Sequence, residues 1–173
     1  INTGVRYCGF FAQTTKDAVV KNFKLTNSIV IADGADPKTL MSTGSIAGAA
    51  HGRFEGIYTN ALLYTTGAGN GGMFGQVYLP TVISNCQFDG RFENIGRYSG
   101  GIVGAMTGQT LRIEHCLNSG YVKITQPLKE YCNSGGIIGA NYHTSEALEI
   151  VDCLNTGIVD ANQNGVGSIL GHC

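Results

Sequence analysis

Residues 99–124 read S-G-G-I-V-G-A-M-T-G-Q-T-L-R-I-E-H-C-L-N-S-G-Y-V-K-I. The stretch opens on a Gly-Gly-Ile-Val-Gly box and passes through the alternating run Leu111-Arg112-Ile113 to Cys116. It turns at Asn118-Ser119-Gly120 and leaves through a second alternating run, Tyr121 to Ile124. The rest of the chain is made of variants of this unit. The glycine box returns at Gly44–Gly48, Gly71–Gly75, Gly135–Gly139 and Gly167–Gly171, with a degraded copy at Cys8–Ala12. First positions are spaced by 36, 27, 29, 35 and 32 residues. The second box keeps step: Val82 to Cys86, Leu111 to Cys116, Leu148 to Cys153, with weaker forms at Val20–Phe23 and Phe54–Ile57. Self-similarity at such a period is the mark of a repeat architecture.

Composition narrows the class. The chain has 173 residues, enough for one domain with a useful core. Charged residues make up only 13 %, against about 25 % in an ordinary soluble domain. The 26 glycines follow a long period, which excludes collagen, where every third residue is glycine. With 11 basic and 12 acidic residues interspersed, the clustered basic face needed by a nucleic-acid binder is missing. No apolar run reaches the roughly 20 residues of a membrane-spanning helix. No charged-then-apolar leader opens the sequence, and Ile1 reads as the start of a processed or excised segment. Ile1-Asn2-Thr3-Gly4-Val5 matches Leu154-Asn155-Thr156-Gly157-Ile158, so the chain begins part-way through a unit.

Within each copy apolar residues occur in pairs or alternate over three to five positions, a strand pattern. Helices are disfavoured where glycine recurs every few residues, at about 1 kcal/mol each relative to alanine. Three short strands cannot bury a face alone, but stacked copies can, each strand pairing in parallel with its equivalent one copy along. The expected fold is therefore all-β: a single right-handed parallel β-helix, or solenoid, of about five coils with three short strands per coil and a rise of roughly 4.8 Å. Coil boundaries fall near 8–43, 44–70, 71–99, 100–134 and 135–166, with incomplete coils at 1–7 and 167–173. One core ladder is expected to contain Phe10, Ile46, Met73, Ile102, Ile137 and Ile169, and another Phe23, Ile57, Cys86, Cys116 and Cys153. Box glycines fit corners that need positive φ or close backbone approach. Excursions at 32–43 and 123–134 leave the coil at the same phase and should project from one edge.

The succession Gly-Gly-Ile-Val-Gly, Leu-x-Ile-x-x-Cys, Asn-Ser-Gly-Tyr-Val resembles the GLUG repeat motif. Residues 135–159 match it closely, and 71–92 fairly. The first two copies lack its cysteine. Repeats of this family occur in large bacterial surface and secreted proteins, including some immunoglobulin A proteases, where they lie outside the catalytic domain. The resemblance implies a surface-displayed β-helical segment and no reaction.

Candidate residues are few. Cys86, Cys116 and Cys153 share one repeat position and read as a column of buried thiols. Neighbours in it have Cα atoms within disulfide reach, but parallel side chains point the same way. Cys8, Cys132 and Cys173 lie outside the ladder and are candidates for assembly or cross-linking. Neither Cys-x-x-Cys nor His-Glu-x-x-His occurs, so no zinc site is expected. His115 precedes Cys116 and would face outward if Cys116 faces inward, which argues against a Cys–His nucleophile pair. The aspartates are scattered in repeat phase and form no carboxylate pair of glycosidase type. Gly67 to Gly72 lacks the helix and lysine of a phosphate loop. Tyr78, Tyr98, Tyr131 and Tyr142 sit in or beside loops and are candidates for a ligand-contacting strip, because solenoid loops gather on one face.

These readings point to a non-enzymatic extracellular solenoid serving as a structural stalk, adhesin or filament-forming surface subunit. A carbohydrate-binding or polysaccharide-cleaving β-helix is the alternative. No cofactor or metal is expected. The expected partners are a further copy of the chain, stacked head-to-tail, or a host or carbohydrate surface.

Overall fold

The computed structural model describes residues 6–33, 41–125, 133–142, 147–162 and 165–172. Every strand pairing in it is parallel, and each strand pairs with its equivalent one coil away. The unit 99–124 shows why. Its glycine box starts the four-residue strand Val103–Met106, the first alternating run becomes Leu111–Glu114, and the second becomes Tyr121–Ile124. Two-residue segments, Ser99–Gly100 and Leu117–Asn118, bridge them. Stacking of equivalents makes three main sheets, here called the box sheet, the middle sheet and the exit sheet after those three strands. The box sheet has six strands and the other two have five each. This is a β-solenoid of about five coils with three main strands per coil.

Register agrees with the repeat alignment. Ile113 pairs with Ile83 and Ile150, and Val122 with Phe92 and Val159. Alternation directs one side of each strand inward, so Phe54, Ile83 and Ile113 are buried from the middle sheet and Leu63, Phe92 and Val122 from the exit sheet. Phe54 and Phe74 close the space between sheets with ring centroids 4.7 Å apart. Burying each such side chain stabilises the fold by about 1.5–3 kcal/mol. Ile46, Met73, Ile102 and Ile137 are buried in one ladder, whereas Phe10 in the first coil is exposed. Among the described residues no Asp, Glu, Lys or Arg is buried; the buried polar side chains are Ser, Thr, Asn and His. On the outside, Arg53 pairs with Glu55, Arg91 with Glu93 and Arg112 with Glu114. Such exposed pairs are screened by solvent and contribute little to stability.

The box glycines answer to close approach, since the described glycines with positive φ are Gly52, Gly56, Gly67 and Gly69. A Cβ on Gly100 would lie 2.0 Å from the Val103 carbonyl oxygen, and one on Gly104 2.5 Å from the backbone of Asn70. At this corner two backbone layers meet with no side chain between them.

The turn before the cysteine column is made differently. Strict alternation that buries Leu111 and Ile113 would bury His115 and expose Cys116. His115 instead adopts φ +52, as do Asn22 (+52), Gly56 (+64), Asn85 (+53) and Asp152 (+48) at the same repeat position. These are residue types that tolerate the left-handed region. The corner they make reverses the parity and turns the next residue inward.

The segments 34–40 and 126–132 lie outside the described residues. Their flanks show that both depart after an exit-sheet strand, Ile29–Ala32 or Tyr121–Ile124, and return at a short bridging strand, Ser42–Thr43 or Asn133–Gly135.

Candidate functional site

The cysteine column forms as a ladder. Cys86 and Cys116 are buried and Cys153, in the last described coil, is half-buried; all three are free thiols. Cys116 Sγ donates to the Glu114 carbonyl at 3.3 Å and Cys153 Sγ to that of Val151 at 3.3 Å, the same bond one coil apart. Neighbouring thiols in the column also shift one another's acidity. The Cys116 thiol holds Cys86 below its ordinary value against the opposing effect of burial. For Cys116 itself, the lowering by Cys153 is outweighed by Cys86 and by burial, and its thiol is pushed up to about 12. Cys153 is raised by Cys116 and by burial. Buried thiols held up in pKa, as Cys116 and Cys153 are, are packing material and poor nucleophiles. Cys8 is 2 % exposed and also belongs to the core, which corrects its reading as a cross-linking residue. Burial removes it from contact with another molecule. Cys132 and Cys173 lie outside the described residues.

His115 faces solvent, its Nδ1 3.8 Å from Asp152 Oδ2 in the next coil, pointing away from the buried Cys116. Among the described residues no group of three or more His, Cys, Asp or Glu side chains gathers closely enough to hold a metal ion. The outer carboxylates Glu55, Glu93, Glu114 and Glu149 all face Arg or Lys side chains, and Arg112 engages both Glu114 and Glu149.

Of the four tyrosines, the fold brings two together. Tyr98 and Tyr142 meet edge to face with centroids 4.5 Å apart, at the mouth of a cavity of about 330 Å³. Its other lining residues are Ala68, Gly69, Gln76, Arg97, Ala105 and Thr107. Tyr78 lies elsewhere, its ring 4.1 Å from that of His51 and its hydroxyl bonded by Gln13. Tyr131 lies outside the described residues. The cavity opens where the connections 66–69 and 95–98 lie over the outer side of the box sheet. The register column Ala49, Gln76, Ala105, Ala140 runs beneath, and its small residues leave the space.

Buried hydrogen bonds hold those connections in place. Asn94 Oδ1 accepts from Thr65 Oγ1 at 2.9 Å and from Asn70 Nδ2 at 3.0 Å, while Asn94 Nδ2 donates to Ser99 Oγ at 2.8 Å. Asn70 Nδ2 also donates to the Gly67 carbonyl at 3.1 Å. Satisfied buried networks of this kind define one backbone arrangement. Here the arrangement places Tyr98 at φ +48, an outlier for a bulky aromatic residue. Such strain is held by its surroundings and clusters where ligands are held. The sequence marked these tyrosines as loop residues, but the asparagine network and the alanine floor carry no motif.

The box sheet also supplies polar groups. Gln76 Oε1 accepts from Ser42 Oγ at 3.0 Å, and Gln76 Nε2 donates to Thr107 Oγ1. The amide is thereby oriented, with one N–H and one acceptor lone pair left for a ligand. Thr107 Oγ1 accepts from Gln76 and still has its own proton to donate. Comparison with known protein families, curated proteins and solved structures returns no match to this chain.

Proposed function

We propose that this chain is a rigid, non-enzymatic, extracellular recognition segment of adhesin type, which engages its ligand at the Tyr98–Tyr142 cleft. The observation that carries the reading is the cleft itself. It is an aromatic recess on the side of a continuously paired ladder, and its described lining residues offer amide, hydroxyl and guanidinium groups and no carboxylate. Proton transfer to a glycosidic bond uses a pair of carboxylic groups, so this lining suits binding over turnover. The ladder supports the mechanical half of the reading, because force along a solenoid is borne by many parallel hydrogen bonds together. The GLUG-like repeat supports the extracellular half.

Two experiments test the proposal. Membrane-impermeant biotinylation of intact source cells should label the protein; labelling only after lysis would overturn the extracellular reading. Beads coated with the chain should be retained under flow on glycoprotein-coated surfaces and lose retention with Tyr142→Ala. Equal retention of both proteins, or release of reducing ends from soluble polysaccharides, would overturn the rest.

A further inference from the structure

We infer that the cleft is a saccharide subsite that takes a single pyranose ring, an assignment that rests on the recognition reading for its location and names the ligand class. Tyr142 is 40 % exposed, so it presents its ring to solvent while Tyr98 braces it from the side. An open aromatic face is a platform for the C–H face of a sugar. The ligand must also satisfy groups at the cleft's polar side. Gln76 offers one donor and one acceptor, and Thr107 offers a donor. A hydroxyl both donates and accepts, so a row of ring hydroxyls matches this pattern. A purely apolar chain would leave it unpaired, at a cost of about 1–3 kcal/mol per group.

Other classes fit less well. A nucleobase sandwiched between parallel rings is excluded by the 69° angle between Tyr98 and Tyr142, and one stacked on Tyr142 alone is what the adenosine arm below detects. A quaternary ammonium calls for an aromatic cage, and here two rings meet at 69° beside amide and hydroxyl groups and do not enclose a cation. The volume of about 330 Å³ lies at the small end of ligand pockets, roughly 300–1,000 Å³, which limits the buried part to one ring. Ala105 forms the floor, flanked in its column by Gln76 and Ala140. A larger residue there would occupy the position of the ring.

The test is a titration of the isotopically labelled chain, followed by amide chemical shifts, with methyl glucoside, methyl galactoside, N-acetylglucosamine and glucuronate. Adenosine and tetramethylammonium are run beside them. The expected result is saturable binding of at least one sugar, with shifts centred on Ala68, Gly69, Gln76, Ala105 and Thr107. Tyr142→Ala should weaken that binding roughly tenfold, the equivalent of about one aromatic stacking contact. Ala105→Leu should abolish it; Tyr142→Ala, at an exposed position, gives the answer where the floor variant disturbs the fold. Glucuronate against glucoside separates an acidic from a neutral sugar, and either outcome supports the assignment. Absence of shifts with every sugar, shifts elsewhere that survive Tyr142→Ala, or preference for adenosine or tetramethylammonium would overturn it. Bead retention that depends on Tyr142 without sugar binding would reject the ligand class alone. Sugar binding without retention would reject the adhesive reading alone.

Discussion

At the glycine corner, Gly100 to Gly104, backbone packs on backbone: a Cβ on Gly104 would come within 2.5 Å of the N, C and O atoms of Asn70. At the cysteine corner, one residue in left-handed conformation turns the chain and the next drops a side chain into the core. That inward position holds Phe23, Ile57, Cys86, Cys116 and Cys153 in successive coils. The first corner has no room for even a methyl group, while the second accepts anything from a thiol to a phenyl ring. The difference lies in what each corner must bring close. The glycine corner joins two sheets whose backbones touch, and no neighbouring side chain can shift to admit an atom. The cysteine corner leaves the backbones apart and lets side chains of differing volume fill the interval.

The largest expected effect breaks the glycine corner. Gly104→Ala should destabilise by about 4 kcal/mol or more, because two backbone layers must part to admit it. Thermal or urea unfolding measures this; a variant as stable as the parent would show that the layers are not in contact.

At the cysteine corner the expected loss is smaller. Cys116→Ser should cost about 1–3 kcal/mol through a buried hydroxyl without an assured partner, and Cys116→Ala less than that. In the native protein a thiol reagent should modify Cys8, Cys86 and Cys116 slowly and half-buried Cys153 faster. Rapid modification of Cys116 before unfolding would contradict its placement.

The turn residue sharpens the contrast further. His115→Val should cost about 1–2 kcal/mol, since a β-branched side chain resists the left-handed region, whereas His115→Gly should be neutral or slightly stabilising. Equal stability of the valine and glycine variants would mean that φ at this corner is not what sets the parity.

The smallest effect concerns the histidine just past a box-sheet strand. His51 is fully buried beside Tyr78 with neither ring nitrogen hydrogen-bonded, and burial holds its pKa below the ordinary value. The unfolded chain therefore takes up a proton first as pH falls. The contribution of neutral His51 is complete above about pH 6.5, the ordinary histidine value, and is lost as pH falls from there toward the lowered folded value. Denaturant melts between pH 7.5 and 5 should show this slope in the parent and less of it in His51→Phe. An identical slope in both would assign the acid sensitivity to other groups.

Legibility in the sequence followed the range of the interaction. The solenoid, its parallel pairing and the core ladders of the inner coils were readable because each repeats once per coil, and a ladder needs only that like residues recur in phase; Phe10, expected to begin one ladder, is exposed in the first coil. The turn before the cysteines was readable in principle from the series Asn22, Gly56, Asn85, His115, Asp152, all types tolerant of positive φ, yet a strict period of two for 111–116 passes over it. Burial of Cys8 was missed because its partner strand, Ser42–Thr43, lies a full coil away and outside the repeated box.

The cleft belongs to the tertiary structure. Tyr98 and Tyr142 are 44 residues apart and at different repeat phases, and nothing local in the chain relates them. They meet because Asn94, Asn70, Thr65 and Ser99 bind two connections over a column whose alanines leave space. Periodic features are determined by sequence alone, since each copy restates them and stacking only adds them up. A single recess is written once, in residues from several coils, and comes into being only when the coils are in register.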